Sequence, residues 1–403
     1  NRQNVRGLTT YTGSGANTLV PFLLGLGSSS VSYVNLPRPN PMDVYNWETG
    51  YFFQDDWKVS QRLTLNLGIR YEVITPFIDN NDMLVNFDPK FVDPTTGLKG
   101  RFIVPSSKTL PFLDTRIADT RPIVTASQSG LGIGRGLVRT DKNNIAPRVG
   151  FAFRLTDKSS LRGGWGIYFP TSAAQGIRDP LATNAFNQSV TKRNADASGN
   201  PTPFAGWPGF NHGFSPLTGG TVRSGFGGIP SINPVPAGLQ QPRIQQYNAT
   251  FEREVMRNTS IRFSYLGSRM SGLIAGVDLN EIAPSDVPFG TTIGDGVTPC
   301  DPINNGDCDY SPADLARQPL PGLGDYLANY GNFGHGRSNA FQAQFERRYS
   351  HGLLLNFAYT YADQRTTALD WGNSSLGGLA WNPFDPNRDY GQDSWIPKNR
   401  VVA

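Results

Sequence analysis

The stretch YFFQDDWKVSQRLTLNLGIRYE, residues 51–72, decides how the whole chain is interpreted. From Leu63 to Glu72, apolar and polar residues alternate without a break, which is typical of a β-strand with one apolar and one polar face. The preceding segment, 47–59, alternates in the same way, and a few residues from Ser60 separate the two. We therefore expect a hairpin. At ~3.3 Å per residue and a tilt of ~45°, residues 61–72 climb about 28 Å, which matches the ~25 Å apolar band of a transmembrane barrel.

The same pattern occurs four times along the chain. Each time two alternating segments flank a short turn, and a long connection rich in glycine, proline and asparagine follows. A soluble sandwich has loops of comparable length at both ends, whereas short periplasmic turns and long extracellular loops are typical of outer-membrane barrels. We expect residues 73–146 to form one such long loop without structure of its own. The predicted hairpins lie at about 47–72, 147–169, 246–267 and 339–362.

Composition agrees with a β-protein. The 403 residues include 45 glycines and 31 prolines, and only 38% are hydrophobic, so turn formers are plentiful and helix formers are few. No apolar run approaches the ~18 residues of a membrane helix. The net charge of +4 comes from scattered residues that form no basic stripe, so we expect no nucleic-acid partner.

Aromatic residues lie near both ends of the predicted strands. This distribution is typical of two aromatic girdles, one at each membrane interface. The general preference of aromatic residues for strands is the alternative explanation. The aromatics near the tight turns are Trp57, Phe153, Phe251, Phe345 and Tyr349, and those near the long loops are Tyr71, Phe169, Tyr265 and Tyr361.

These residues carry a family resemblance. Residues 51–72 strongly resemble the barrel sequence of TonB-dependent outer-membrane transporters, and NNIAPRVGFAFRLTDKSSLRGGWGIYF (143–169) and FERRYSHGLLLNFAYTYA (345–362) look like further hairpins of the same proteins. TLVPFLLGLG (18–27) is similar to the segment before the first hairpin in the Oar-like subfamily. The long loops resemble nothing that we can name.

The resemblance implies an all-β fold, an antiparallel transmembrane β-barrel in the cell outer membrane. Because the family barrel has 22 strands and an N-terminal plug, we expect residues 1–403 to be an incomplete segment, cut at both ends, with the plug domain and TonB box absent from this chain. The implied partners are outer-membrane lipid, TonB acting through that plug, and an unknown ligand.

Motifs for covalent chemistry are missing from the sequence. It contains no GxSxG, Walker A or HExxH motif, so we expect neither an enzyme nor a cofactor. The glycine-rich run 130–136 lacks the strand–turn–helix context of a dinucleotide site, and we interpret it as a loop. We expect no metal site. The histidines His212, His335 and His351 are dispersed, and the oxygen-bearing residues Asp301, Asn304, Asn305, Asp307 and Asp309 lack EF-hand spacing and are interpreted as a solvated loop.

The two cysteines, Cys300 and Cys308, are separated by seven intervening residues in a loop. In an oxidising compartment we expect them to form a disulfide, and the alternative is two free thiols in a reducing one.

Charged residues of the strands lie opposite the apolar files. An arginine on the lipid side would cost roughly 2–4 kcal/mol near mid-membrane, so we expect them to face the lumen, as structural and plug-contact residues. They are Arg70, Glu72, Arg148, Arg154, Arg162, Glu252, Arg262 and Glu346. Aromatics of the long loops are the candidates for ligand contact, with loop self-packing as the alternative. They are Trp207, Phe210, Phe214, Trp371 and Trp381.

Three functional hypotheses follow. The first is a TonB-dependent transporter or receptor that captures a ligand with its loops and passes it through a plugged lumen. The second keeps the barrel but assigns it to surface adhesion or protein export. The third is a secreted, soluble β-sandwich that binds carbohydrate, which would bury the apolar files, including Leu63, Leu65, Phe151 and Phe263, against a second layer of protein.

Overall fold

The computed structural model describes residues 8–10, 30–35, 43–113, 115–118, 120–170, 181, 188–192, 232–284, 316–323, 327–350, 352–367, 382–393 and 396–403. Their strands are β1 (Leu8–Thr10), β2 (Ser30–Asn35), β3 (Val44–Tyr45), β4 (Glu48–Lys58), β5 (Leu63–Ile74), β6 (Ile78–Asp79), β7 (Asn86–Val92), β8 (Lys99–Val104), β9 (Ile123–Thr125), β10 (Asp141–Thr156), β11 (Ser159–Tyr168), β12 (Gln188–Lys192), β13 (Arg243–Met256), β14 (Thr259–Asp278), β15 (Ala328–Ser350), β16 (Leu353–Thr366), β17 (Gly391–Gln392) and β18 (Asn399–Val402). The helices are short: 3-10 helices at Ser107–Phe112 and Pro386–Asp389, and an α-helix at Thr115–Ala118.

One ten-stranded sheet dominates the structure. Its order is β17-β16-β15-β14-β13-β11-β10-β5-β4, and β18 also pairs with β16. Every neighbouring pair in this sheet is antiparallel, which confirms the predicted all-β, antiparallel character. Within the described residues the sheet does not close on itself, and β4 forms one of its edges.

The two faces of this sheet differ sharply, because strand register places residues of one kind side by side. A representative row of the apolar face is Leu63, Phe153, Leu161, Phe251, Phe263, Ala343, Tyr359 and Val401. A representative row of the polar face is Gln54, Gly68, Arg148, Gly166, Gln246, Ser268, Ser338 and Gln364. The names apolar face and polar face refer below to the sides carrying these two rows.

No second layer of described protein covers the apolar face. Phe263 is 41% exposed, Phe341 44% and Phe357 42%, whereas core residues of a sandwich are almost fully buried. Leu63, Leu65 and Phe151 are partly exposed rather than buried. The burial that the soluble-sandwich hypothesis requires is therefore not found.

Register also fixes the tilt of the strands. One row joins Lys58 to Thr64, Ala152 to Arg162, Thr250 to Ser264 and Gln342 to Thr360, which are separated in sequence by six, ten, fourteen and eighteen residues. The row thus recedes from the tight turns by about two residues per hairpin, or one per strand. An offset of ~3.3 Å for every ~4.8 Å between strands gives a tilt of roughly 35°. Transmembrane β-barrels have strands tilted by ~35–45°.

This stagger explains how the aromatics lie. Trp57, next to a tight turn, and Tyr361, next to a long connection, belong to one row across the sheet that also contains Tyr265 and Phe341. Because the strands tilt, the two ends of that row lie at different heights. The two girdles remain a prediction that is compatible with this register.

Residues 73–146 are not structureless, and that prediction is wrong. They form β6 to β9 and two short helices, and they pack with residues 232–240, 273–281 and 316–330 around two buried hydrophobic clusters. We call the four segments 76–139, 232–240, 273–281 and 316–330 together the cap. The clusters contain residues of the first three long connections, which shows that these three fold together.

The small sheet β7-β8-β9 lies between the two clusters of the cap. In β8, Ile103 packs into one cluster, while its neighbours Phe102 and Val104 pack into the other. Just before β7, Leu84 packs into the same cluster as Ile103, and Val85 packs into the other cluster. Since both faces of the sheet are buried, both faces need apolar residues, and period two is lost.

Two of the hairpin strands are longer than predicted. β14 runs on to Asp278 and β15 begins at Ala328, so both reach from the main sheet into the cap. The register shifts between Ser271 and Leu273, where Gly272 has a φ of +64°. Glycine adopts this left-handed conformation at little cost, so the bulge redirects the strand pair.

Candidate functional site

The predicted charged residues all lie on the polar face, in separate groups. Arg154, Arg162, Glu252 and Glu346 line a depression of about 490 Å³ beside the tight turns. Arg262 joins this group through Glu252, at 3.3 Å, and donates to Gln344 Oε1 at 3.2 Å. Both contacts cross between neighbouring strands, which is the arrangement that stabilises a sheet. Positive and negative side chains thus share one water-accessible surface.

The other predicted charges lie nearer the long connections. Arg70 and Glu72 form an ion pair within β5 rather than across strands. A side chain at Gly50 would meet the Arg70 guanidinium at 2.7 Å, so glycine on the neighbouring strand makes room for this arginine. The Arg148 guanidinium lies 4.7 Å from the Tyr168 ring centroid, as a cation–π pair. Arg148 and the tight-turn group therefore do not form one compact site.

The cap is held together by polar groups that sequence reasoning missed. Asn86 is buried, and its amide nitrogen donates to the carbonyls of Leu137, at 3.1 Å, and Val235, at 2.8 Å. Its oxygen accepts from the Val235 amide at 3.0 Å and from the Phe87 amide at 2.8 Å. One side chain therefore joins two long connections with its hydrogen-bonding capacity filled.

Arg121 ties in the third long connection. Its guanidinium donates to the carbonyls of Lys99 at 2.6 Å, Thr120 at 2.7 Å and Pro321 at 2.8 Å. Only 4% of the residue is exposed, and burial lowers the pKa of this guanidinium from its ordinary value. An arginine stays charged even so, because its ordinary pKa is far above neutrality. The cap is thus a braced unit and not a set of independent loops.

A cleft of about 400 Å³ lies at the cap end of the main sheet. Arg243, Ser271 and Ile145 line it, together with two polar side chains whose hydrogen-bonding capacity is not filled. The Asn144 amide nitrogen is buried without an acceptor, and the Gln241 side-chain oxygen is buried without a donor, among the described residues. Buried polar groups are rarely left unpaired, so these two atoms require a polar partner, either ordered water or a ligand group.

Several candidates lie outside the described residues: Trp207, Phe210, Phe214, Trp371, Trp381, the cysteines Cys300 and Cys308, His212, His351 and the oxygen-bearing residues 301–309. His335 is described, and its ring stacks on Tyr390 with 5.0 Å between centroids. In the part of the chain that is described, no cluster of three or more metal-ligating side chains occurs. A search of the same residues finds no helix of the length and apolarity that a membrane span requires.

Comparisons with solved structures give distant matches. The outer membrane transporter YddB from Escherichia coli aligns over 83% of this chain and 35% of its own, with 9% identity and a TM-score of 0.37. A chain of the FpvAI–pyocin S2 complex aligns over 89% and 26%, with 11% identity and a TM-score of 0.36. FauA from Bordetella pertussis, an alcaligin outer membrane receptor, aligns over 86% and 36%, with 9% identity and a TM-score of 0.31. This chain therefore spans about a third of each structure or less. No curated protein sequence matches it.

The profile of the outer membrane beta barrel domain family matches residues 1–403, which is the whole chain. This match, with the uncovered apolar face, excludes the soluble, secreted sandwich and makes that face the surface that meets lipid. The chain belongs to the outer membrane beta barrel domain family, and the protein is located in the outer membrane.

Proposed function

We propose that this chain is the barrel portion of a TonB-dependent transporter or receptor of the Oar-like subfamily. In this proposal the strands contribute to a 22-stranded barrel whose lumen is closed by a plug domain that lies outside the 403 residues. The cap and the other long connections capture a ligand, and the plug moves when TonB transmits energy from the inner membrane. The chain itself carries out no covalent chemistry.

The continuous polar face is the observation that supports the proposal most directly. Rows such as Gln54–Gly68–Arg148–Gly166 consist of polar residues and glycine across neighbouring strands. Arginine on the lipid side costs ~2–4 kcal/mol at mid-membrane, so this face belongs on the inside, in contact with water and a plug. We propose structural and plug-contact roles for Arg70, Glu72, Arg148, Arg154, Arg162, Glu252, Arg262 and Glu346.

The braced cap supports ligand capture. A pre-organised surface loses less conformational entropy on binding than separate mobile loops do. Ligand contact by Trp207, Phe210, Phe214, Trp371 and Trp381, and a Cys300–Cys308 disulfide, remain part of the proposal.

Energised uptake tests the function. The full-length gene would be expressed in Gram-negative cells with and without TonB, supplied with a ferric siderophore, cyanocobalamin, an oligosaccharide and a peptide, each radiolabelled. We expect one probe to accumulate only when TonB and the proton-motive force are both present. Accumulation that is equal in both strains, or unaffected by a protonophore, would refute TonB dependence. If deletion of the gene leaves the uptake of all four probes unchanged but abolishes cell adhesion or secretion, the adhesion or export hypothesis is favoured.

A further inference from the structure

Three arginines lie side by side on the apolar face. Arg269 of β14 pairs in register with Arg337 of β15, which pairs with Arg365 of β16. Each extends the apolar file of its strand toward the long connections at even spacing: Arg365 lies four residues after Tyr361, and Arg337 four residues before Phe341. All three are exposed. These residues are named the arginine row.

The position of the arginine row along the strands sets its depth. In β16 the apolar file runs from Leu353 to Tyr361, which at ~3.3 Å per residue and a tilt of roughly 35° spans about 22 Å along the membrane normal. This length is close to the ~25 Å height of the apolar band of transmembrane barrels. Arg365 comes four residues after Tyr361, or about 11 Å further, at the depth of lipid headgroups. The arginine row is also at the end of the sheet that carries the long connections, which is the extracellular side in this family of barrels.

The charge of the row is only partly neutralised by protein. Asp363 contacts both Arg337, at 3.9 Å, and Arg365, at 3.5 Å. Arg269 has no ion pair among the described residues. One carboxylate therefore serves two of the three guanidinium groups, and like charges placed side by side in a sheet are destabilising. A further anion would remove this cost.

The cleft described above lies beside the row, since Ser271, two residues after Arg269 of the row, lines it. Arg243, which is exposed and two residues before Gln245 of β13, lines it, and Gln245 pairs with Arg269. The unpaired Gln241 oxygen in the cleft requires a donor, which a hydroxyl-bearing headgroup supplies. Asn144 pairs with Glu72 and therefore lies on the polar side of the sheet.

We propose that the arginine row and this cleft form a docking surface for a phosphorylated glycolipid of the outer leaflet. The guanidinium groups bind its phosphates in bidentate fashion, which the planar fork of arginine favours over lysine. The row spans two strand spacings, or about 10 Å, enough for more than one phosphate. The sugar hydroxyls occupy the cleft, and the acyl chains lie on the apolar residues below.

Lipid binding by the full-length, detergent-solubilised protein tests the proposal. The probes are bis-phosphorylated lipid A, the same lipid A without phosphate, and inorganic phosphate, and the dissociation constants are measured by microscale thermophoresis. The triple variant Arg269→Gln, Arg337→Gln, Arg365→Gln is compared with Lys158→Gln, Arg253→Gln, Arg257→Gln, which removes the same charge at the tight-turn end. We expect the row variant to bind bis-phosphorylated lipid A at least tenfold more weakly, and the control variant to bind it as the wild type does. Inorganic phosphate is expected to compete only at millimolar concentration.

A second variant keeps the test decisive if the row variant fails to give the heat-modifiable band of a folded barrel. Asp363→Asn removes the carboxylate that competes for Arg337 and Arg365, so it should bind bis-phosphorylated lipid A several-fold more tightly. Equal binding of lipid A with and without phosphate to the wild type would overturn the proposal. The proposal would also be overturned if a folded row variant or the Asp363→Asn variant bound bis-phosphorylated lipid A as the wild type does. An equal loss of lipid A binding in the control variant would overturn it as well.

Discussion

Placing an arginine in the middle of the apolar face should destabilise the protein by an amount that depends on depth. Phe357 is the midpoint of the apolar file Leu353–Tyr361 of β16, and its side chain is 42% exposed. For Phe357→Arg we expect a loss of about 2–4 kcal/mol of folding free energy, the usual cost of arginine facing lipid at the midplane. This corresponds to roughly a 30- to 900-fold change in the folding equilibrium.

Two neighbouring positions serve as controls. Asn356 precedes Phe357 on the polar face and is exposed, so Asn356→Arg should cost well under 1 kcal/mol, the typical range for surface substitutions. Leu353, which is 48% exposed, lies at the end of the file beside the tight turn, so Leu353→Arg should cost ~0–1 kcal/mol. Reversible urea unfolding in phospholipid vesicles, followed by tryptophan fluorescence, measures all three. Equal costs at Phe357 and Asn356, or no difference between Phe357 and Leu353, would contradict the assignment of the two faces to lipid and water.

Three further outcomes are expected. Asn86→Leu leaves backbone groups of two long connections unpaired and should cost about 2–4 kcal/mol of cap stability. The loss is measured as faster hydrogen exchange confined to cap amides, and an unchanged exchange rate there would contradict the bracing role. Burial and a neighbouring aspartate raise the pKa of Glu281 above its ordinary 4.5, so the ionised carboxylate opposes folding. Glu281→Gln should therefore stabilise the cap at neutral pH, but not at a pH well below 4.5, where the glutamate is protonated. Thermal unfolding of both proteins at the two pH values checks the sign of the stability difference. Arg154→Gln with Arg162→Gln should increase ion leakage of the full-length protein in planar bilayers by loosening the proposed plug contact, whereas Arg253→Gln on the opposite face should leave conductance unchanged.

The sequence reveals the strands of the main sheet because their two faces meet different solvents. The alternation of Leu63, Leu65 and Leu67 with polar neighbours requires no knowledge of tertiary contacts, and their lengths already indicate a membrane-spanning sheet. The same reasoning fails for the cap. The runs MLV (83–85) and FIV (102–104) are short and continuously apolar, since both of their faces are buried, and periodicity cannot assign them.

The polar bracing of the cap could not be predicted for a different reason. Asn86 lies 51 residues from Leu137 and 149 from Val235, and Arg121 lies 200 from Pro321. Nothing local marks a buried asparagine or arginine as a bridge, since both types are usually exposed in loops. The arginine row is similarly hidden, because Arg269, Arg337 and Arg365 become neighbours only through strand register.

The register itself constrains how the membrane-facing sheet is completed. A stagger of about one residue per strand gives a tilt of ~35°, which lies within the range of transmembrane barrels. In hydrocarbon, however, each unpaired backbone group costs several kcal/mol. The outer edge of β4, from Glu48 to Lys58, has no strand beside it among the described residues, and Tyr51 and Phe53 there are 67% and 71% exposed. An edge of this length is not tolerated in a bilayer, so we expect β4 to pair with another strand once the protein is inserted.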